Sequence, residues 1–345
     1  VPALAVELLG TRLVAAAREQ RPHYRAALRR AAQHSEAEAA VRQLLGERSR
    51  GVSADIEVLR ALGELLPRVE PEASQSFARV AAEARSFDHR YLLLGPAAAL
   101  AARGGEARAF LARALHDADP YLRTAAARTL PPSGELEGGL VAATRDPEVR
   151  VREASVLRLG ELRPAAAAAP LRERLATDAW PLVRASAARA LAGFGPSPEL
   201  DVALAERLQD DADAVRAAAL RSLGQRGAQA FLPAIRELFA DHEQSGAVRE
   251  AAVRALAQLC DRGSLEALTQ SAQQLLGERR SPDEALVSTA SVAALGRLHP
   301  ADLAQRLGPL ARVPGQPALG ALVMAALQAT ERCPLSAAVG AAPRP

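Results

Sequence analysis

Asp178 to Gly195 reads DAWPLVRASAARALAGFG, and its pattern recurs down most of the chain. Four other stretches carry it: Asp117 to Leu130 (DADPYLRTAAARTL), Asp146 to Gly160 (DPEVRVREASVLRLG), Asp210 to Gly224 (DDADAVRAAALRSLG) and Glu243 to Leu259 (EQSGAVREAAVRALAQL). Aligned on the Arg that follows the hydrophobic residue, the anchors are Arg123, Arg152, Arg184, Arg216 and Arg249, at steps of 29, 32, 32 and 33 residues. Seven residues after each anchor stands a Leu: Leu130, Leu159, Leu191, Leu223 and Leu256. A fixed period of this size is the signature of a stacked repeat array, in which each unit buries its apolar face against its neighbours.

The repeat unit reads as two helices. Within Asp178–Gly195, Val183, Ala187, Leu191 and Phe194 make one apolar stripe at helical spacing, which must be buried against a partner helix and the next repeat. The preceding first helices are read at about 106–115, 134–143, 164–176, 198–208, 228–239 and 264–276. An acid stands six residues before every anchor: Asp117, Asp146, Asp178, Asp210 and, in the fifth copy, Glu243. An Asp in the turn before a helix accepts hydrogen bonds from the free amides of the first turn, so it has a local reason to be there.

Composition agrees with an all-α chain. Hydrophobic residues make up 49% but aromatics only 3%, and the periodic segments are rich in Ala, the best helix former, whose small side chain lets helices approach closely. No run alternates Val, Ile, Thr and aromatics as a strand would. All 43 basic residues are Arg, and the net charge is only +3, which argues against bulk electrostatic binding to nucleic acid or anionic lipid.

The organisation expected is an irregular helical N-terminal cap or degenerate repeats over 1–52, a repeat array over 53–331 that is most regular over 104–298, and a loose tail over 332–345. In the cap, Leu4, Leu8, Leu9 and Leu13 mark one apolar stripe, and Ser35 with Glu38 has capping-box spacing. Late in the chain Ser288 stands where the anchor Arg would fall, and a last apolar helix is expected over 316–330 after a Pro-rich turn with Pro309, Pro314 and Pro317.

The D-x5-R spacing, the Pro three residues after Asp117 and Asp178, the V-R-x-A-A run and the following L-G resemble the second helix of HEAT repeats, and the related short repeats of bacterial HEAT proteins and bilin-lyase-like proteins. The resemblance covers about 117–296 well and 54–103 weakly. It implies a right-handed α-solenoid of roughly eight or nine helix pairs, with second helices on the concave side. It also implies that Asp117, Asp146, Asp178, Asp210 and Glu243 with Arg123, Arg152, Arg184, Arg216 and Arg249 form a structural ladder between successive repeats, interrupted at Ser288.

A second basic series carries the functional expectation. Arg128, Arg189, Arg221 and Arg254 follow their anchors by five residues, with Arg158 one position off. Five residues turn a helix by about 140°, away from the ladder. If second helices are concave, these arginines line the groove and can grip carboxylates or phosphates.

Other chemistry is sparse. The six His are scattered, no P-loop, dinucleotide fingerprint or catalytic Ser, Cys or His constellation is present, and no cofactor or metal is expected. Cys260 and Cys333 lie 73 residues apart without metal or redox spacing, and no disulfide is indicated; Cys260 reads as a buried thiol. The sequence therefore points to a non-enzymatic scaffold or adaptor that binds another protein, with an acidic or extended segment suited to the Arg groove. A nucleic-acid-binding or alkyl-base-glycosylase-like solenoid, for which the single Trp180 is the aromatic candidate, and a bilin-lyase-like protein are the alternatives. No stretch is long and apolar enough to span a membrane. Cytoplasmic placement is expected, or a periplasmic or lipid-anchored one if a segment before Val1 was removed.

Overall fold

The computed structural model describes residues 2–17, 19–46, 51–103, 105–277, 281–313 and 317–334. Among them every regular element is helical, and the chain divides into two compact units, Val1–Ala167 and Ala168–Pro345. The division falls inside the stretch read as the regular array, and it is not marked in the sequence.

The first unit holds ten α-helices, in sequence five first-and-second pairs: α1 (Pro2–Ala15) with α2 (Arg21–Ala32), α3 (Glu38–Gly46) with α4 (Val52–Leu62), α5 (Glu72–Glu83) with α6 (Phe87–Leu100), α7 (Gly105–Ala114) with α8 (Pro120–Thr129), and α9 (Gly134–Ala143) with α10 (Val149–Leu162). The members of each pack together except α3 and α4, where α3 rests on α1 and α5 and α4 on α2 and α5. Second helices pack on second helices, α2 on α4, α4 on α6, α6 on α8 and α8 on α10, while the odd-numbered helices form the other layer. The second unit repeats the scheme with α11 (Ala168–Thr177) and α12 (Pro181–Leu191), α13 (Pro198–Glu206) and α14 (Asp213–Arg226), α15 (Leu232–Ala240) and α16 (Gly246–Gln258), α17 (Leu265–Gln273) and α18 (Pro282–Leu298), and α19 (Leu303–Ala311) and α20 (Pro317–Leu327). The architecture is the all-α solenoid expected, with ten pairs rather than eight or nine. Pairing begins at α1, so the segment expected as an irregular cap follows the same two-layer scheme.

Local sequence explains the helix ends. Pro120, Pro181, Pro198, Pro282 and Pro317 each open a helix, where the missing amide is one the helix leaves unbonded anyway. Ser281 and Glu284 form a reciprocal capping box at the start of α18. Gly227 closes α14 in the left-handed conformation, φ 71°, a geometry that costs Gly nothing.

The repeat's apolar positions are its core. The residue before each anchor (Leu122, Val151, Val183, Val215, Val248) and the Leu seven after it are at most 1% exposed in every copy, and Val287 and Leu295 hold the same places around Ser288. Fully burying such a side chain is worth about 2 kcal/mol. Small residues let the layers close: a Cβ on Gly246 would lie 2.8 Å from the Asp283 Cα of α18, and the Gly246 amide donates to the Asp283 carboxylate at 2.8 Å.

Several local expectations are corrected. In α1 the buried residues are Val6, Gly10 and Leu13, while Leu4 and Leu8 face solvent at 70% and 57% exposure; the stripe turns one residue because Gly10 sits against Leu44. Ser35 does not cap Glu38; residues 35–37 are a short 3-10 turn and Glu38 pairs instead with Arg42 at 2.9 Å. Pro309 lies inside α19 rather than in a turn.

The cysteines are a further correction. Cys260 and Cys333 form a disulfide, with Cα atoms 5.6 Å apart. Cys260 follows α16 at φ 56° and Cys333 follows α20, where its amide donates to the Arg297 carbonyl at 2.8 Å. The C-terminal segment is thus fastened to the end of α16 as far as residue 334; the rest of the expected loose tail, 335–345, lies outside the described residues.

Candidate functional site: the second-helix face

The turn Asp and the anchor Arg position everything around them. Asp117, Asp146, Asp178 and Asp210 each accept, through Oδ1, the amide two residues on, at 2.8–3.1 Å. Each anchor then returns: Nη1 of Arg123, Arg152, Arg184 and Arg216 donates to the backbone carbonyl of the Asp six residues before it, at 2.6–3.0 Å. The free edge of the guanidinium reaches the next turn. Arg123 grips both oxygens of Asp146 at 2.8 and 2.9 Å, and Arg184 both oxygens of Asp210 at 2.9 and 2.7 Å. Arg184 takes the carboxylate of the following repeat, and from Asp178 only the carbonyl. An equivalent rung reaches back to α6, where Arg90 pairs with Asp117 at 3.0 Å, although the sequence there lacks the repeat motif.

These pairs are electrostatically settled. Bonding to Asp146 and to Asp210 raises the pKa of Arg123 and Arg184 respectively, against the cost of burial. Burial pushes the Asp210 carboxyl up, but the bonds from Arg184 and the Ala212 amide outweigh it and hold it below the usual carboxylate range.

The rung fails earlier than Ser288. Arg216 turns to Asp213 of its own helix, and Glu243 is exposed and accepts nothing from it. The turn position in this copy belongs to Asp241, which takes the Glu243 amide at 2.9 Å. Asp241 stands eight rather than six residues before Arg249, so Arg249 donates instead to the Phe239 carbonyl at 3.1 Å.

The second arginine series lies on the opposite side of the same helices. Residues two before and five after an anchor are seven apart, within about 20° of two full turns, so they share one face. The pairs are Tyr121 and Arg128 in α8, Arg150 and Leu157 in α10, Leu182 and Arg189 in α12, Ala214 and Arg221 in α14, and Ala247 and Arg254 in α16, and all ten are exposed. Arg158 is not among them. It donates to the Leu130 carbonyl at 2.7 Å and to Glu161 at 2.5 Å, and Leu157 takes the place in the series. Nor are the rest equally available. Arg221 and Arg254 converge on the buried Glu250, at 3.3 Å for Arg221, and Arg189 donates to the Ser186 hydroxyl at 2.8 Å. Arg128 forms no ion pair among the described residues.

In the first unit this face holds a recess that the sequence reading missed. It has a volume of about 1300 Å³ and is lined by α2, α4, α6, α8 and the start of α10. Its floor is α6, which presents Gly95, Ala98 and Ala99 where neighbouring helices carry Arg60 and Arg128. Earlier on α6, Phe87 and Tyr91 stack at 5.8 Å, and on α8 Tyr121 lines the recess with the Arg150 guanidinium 5.5 Å over its ring. In a chain with three Tyr and six Phe, three partly exposed aromatics on one recess were the available signal. Arg60 is half-buried beside Glu57 at 3.2 Å, and burial, aided by the nearby Arg25, lowers its pKa despite Glu57.

Trp180 is 56% exposed in the turn before α12, its amide bonded to Asp178, with no second aromatic in ring contact. Among the described residues no group of three His, Cys, Asp or Glu could hold a metal, and no helix is long and apolar enough to cross a membrane.

Among curated proteins none matches the chain. Of solved structures, Kap95p, in the structure with RanGDP, is 12% identical with a TM-score of 0.59, over 93% of this chain and 51% of that one, so this chain spans about half its length. The CpcE–CpcF complex of phycocyanin lyase from Nostoc sp. is 21% identical over 64% of this chain and 86% of that one, with a TM-score of 0.41. Human deoxyhypusine hydroxylase is 20% identical over 86% and 97%, with a TM-score of 0.32. The likeness to Kap95p shows a shared fold. The model of HEAT repeats matches residues 107–192 and 201–296, more than half of the chain, and these matches span the turn-and-anchor motifs of α8 through α18: the chain belongs to the HEAT-repeat family.

Proposed function

We propose that this chain is a non-enzymatic scaffold that holds a protein partner on its second-helix face. The observation that carries the reading is the division of labour in each motif helix. The anchor side is consumed by structure, whereas the residues two before and five after the anchor are exposed in every copy and vary in type. A face laid out at fixed intervals binds through several modest contacts, one or two per repeat. Because Arg221 and Arg254 already serve Glu250, Arg128 and Arg189 are the stronger contributors among the five arginines first singled out, and Arg158 drops out.

The Cys260–Cys333 disulfide favours work in an oxidising compartment over the cytoplasm, where thiols are kept reduced. The test of the scaffold reading is capture of the native partner by wild-type protein and by an Arg128→Gln, Arg189→Gln variant. Gln is preferred to Glu because it removes the charge without placing a repelled carboxylate on the helix. Capture reduced tenfold or more, with an unchanged circular dichroism spectrum, is expected; undiminished capture sinks the assignment. Steep, saturable, salt-dependent binding to duplex DNA would favour the nucleic-acid reading instead.

A further inference from the structure

We infer that the recess between Arg60 and Arg128 in the first unit is a docking site for an extended, acidic peptide segment of the partner carrying one large apolar or aromatic side chain. This rests on the scaffold reading and assigns it a place and a chemistry. Three observations carry it.

The first is shape. Gly95, Ala98 and Ala99 leave α6 without bulk on its exposed side, and a Cβ on Gly95 would meet nothing within 4 Å. The channel is lined by five neighbouring second helices. At 8–10 Å between axes these span about 35 Å, the reach of roughly 11 residues of extended chain.

The second is the aromatic part of the lining. Phe87, Tyr91 and Tyr121 are 38%, 47% and 61% exposed, and all three line the recess. Phe87 and Tyr91 precede the small-residue stretch on α6 itself and Tyr121 lies near the start of the neighbouring α8. Together they offer an aromatic patch beside the floor for one apolar side chain, and Tyr gives large contact area at low entropic cost.

The third is charge. Arg29, Arg60, Arg128 and Arg150 line the recess against Glu64 and Asp119, and Asp119 is engaged as the cap of α8, accepting the Tyr121 amide at 2.8 Å. Arg128 has no counter-charge and Arg150 has only the Tyr121 ring. Two or three carboxylates on a peptide would satisfy them in paired hydrogen bonds. A nucleic-acid duplex would bring a phosphate about every 3.4 Å of each strand, near ten charges per strand over the same length, far beyond this surplus.

The probe is a fluorescein-labelled peptide of about 12 residues, rich in Asp and Glu with a central Leu-Trp pair. It is read by fluorescence anisotropy on the whole protein, beside the same peptide with Lys for its acids, with Ala-Ala at its centre, and beside a single-stranded DNA of like length. The acidic Leu-Trp peptide should bind at least tenfold tighter than the Lys and Ala-Ala versions. Gly95→Leu, which adds bulk to the floor from a Cβ position that meets nothing within 4 Å and favours the helix, should weaken it at least tenfold with the helical spectrum intact, as should Arg128→Gln. Arg189→Gln, in the other unit, should leave it unchanged. Equal binding of the Lys peptide, tighter binding of the DNA, or indifference to Gly95→Leu overturns the proposal. Applied to the native partner, capture lost in Arg189→Gln but untouched by Gly95→Leu would sink the recess and keep the scaffold reading. Capture untouched by both would sink both.

Discussion

At the scale of single residues, the two arginines of one motif helix do different work because they stand on opposite sides of it. Arg184 is buried between its own turn and the next, with Asp210 almost wholly enclosed. Removing one partner of such a pair leaves a desolvated charge, and Asp210→Asn should cost about 3 kcal/mol of stability at neutral pH in urea unfolding. Glu243→Gln, at the position the spacing nominates for the same role, should cost less than about 0.5 kcal/mol because its side chain is exposed and holds no rung. The acid limb carries the same signature. The folded Asp210 carboxyl titrates below its unfolded value near 3.9, so its contribution is complete above that pH and is lost as pH falls through the folded value. In a pH series of unfolding curves, Asp210→Asn should therefore flatten the fall in stability below about pH 4; an unaltered acid limb would assign that fall to other groups. Arg189, in contrast, is exposed and hydrogen-bonds to Ser186 without an ion pair among the described residues, and its replacement should leave stability nearly unchanged.

At the scale of elements, what could be read in the sequence was whatever a single helix dictates. Val183, Leu191 and their counterparts fix the buried stripe, and the turn Asp fixes the cap, because both depend on neighbours within seven residues. Features that need two or three helices at once were not legible. Gly95 is an unremarked helix glycine until Arg60 and Arg128 stand beside it, and Asp241 displaces Glu243 only because two extra residues lengthen that turn. Arg158 stands one position off the series, and on a helix one residue is about 100°, enough to send it to the Leu130 carbonyl. The cysteines were invisible because nothing local joins positions 73 apart. Replacing Cys260 and Cys333 by Ser should free the segment after α20. By loop closure the bridge is worth up to about 4 kcal/mol, and limited proteolysis should cut residues 328–334 of the double variant well before the wild type. Close approach gives a second contrast between elements. Gly246→Ala drives a Cβ against the Asp283 backbone and should cost about 1–3 kcal/mol, whereas Gly138→Ala in α9 meets open space and should stabilise by about 0.5–1 kcal/mol.

At the scale of the whole molecule, the repeat period is continuous across Arg152 and Arg184, yet the structure resolves into two compact units with the division between Ala167 and Ala168. Each has its own buried stripe. Leu59, Leu93, Leu100, Leu122 and Leu159 are fully enclosed in the first, and Leu191, Leu223, Leu256, Leu295 and Leu307 in the second. Each also holds rungs of its own, Arg90–Asp117 and Arg123–Asp146 in the first and Arg184–Asp210 in the second, and both cysteines belong to the second. In a stack, stability is close to a sum of repeat and nearest-neighbour terms, so a block of five pairs retains most of its own contributions when cut free. Fragments 1–167 and 168–345 should accordingly each be helical and melt with a sigmoidal transition by circular dichroism. Reducing agent should lower the midpoint of the second and leave the first unmoved, since the first contains no cysteine. The acidic Leu-Trp peptide should bind fragment 1–167 about as well as the full chain, because all of the recess residues fall within it. A first fragment that is unfolded alone would show that its five pairs depend on the rest of the array, and one that folds yet fails to bind would place the peptide elsewhere on the molecule.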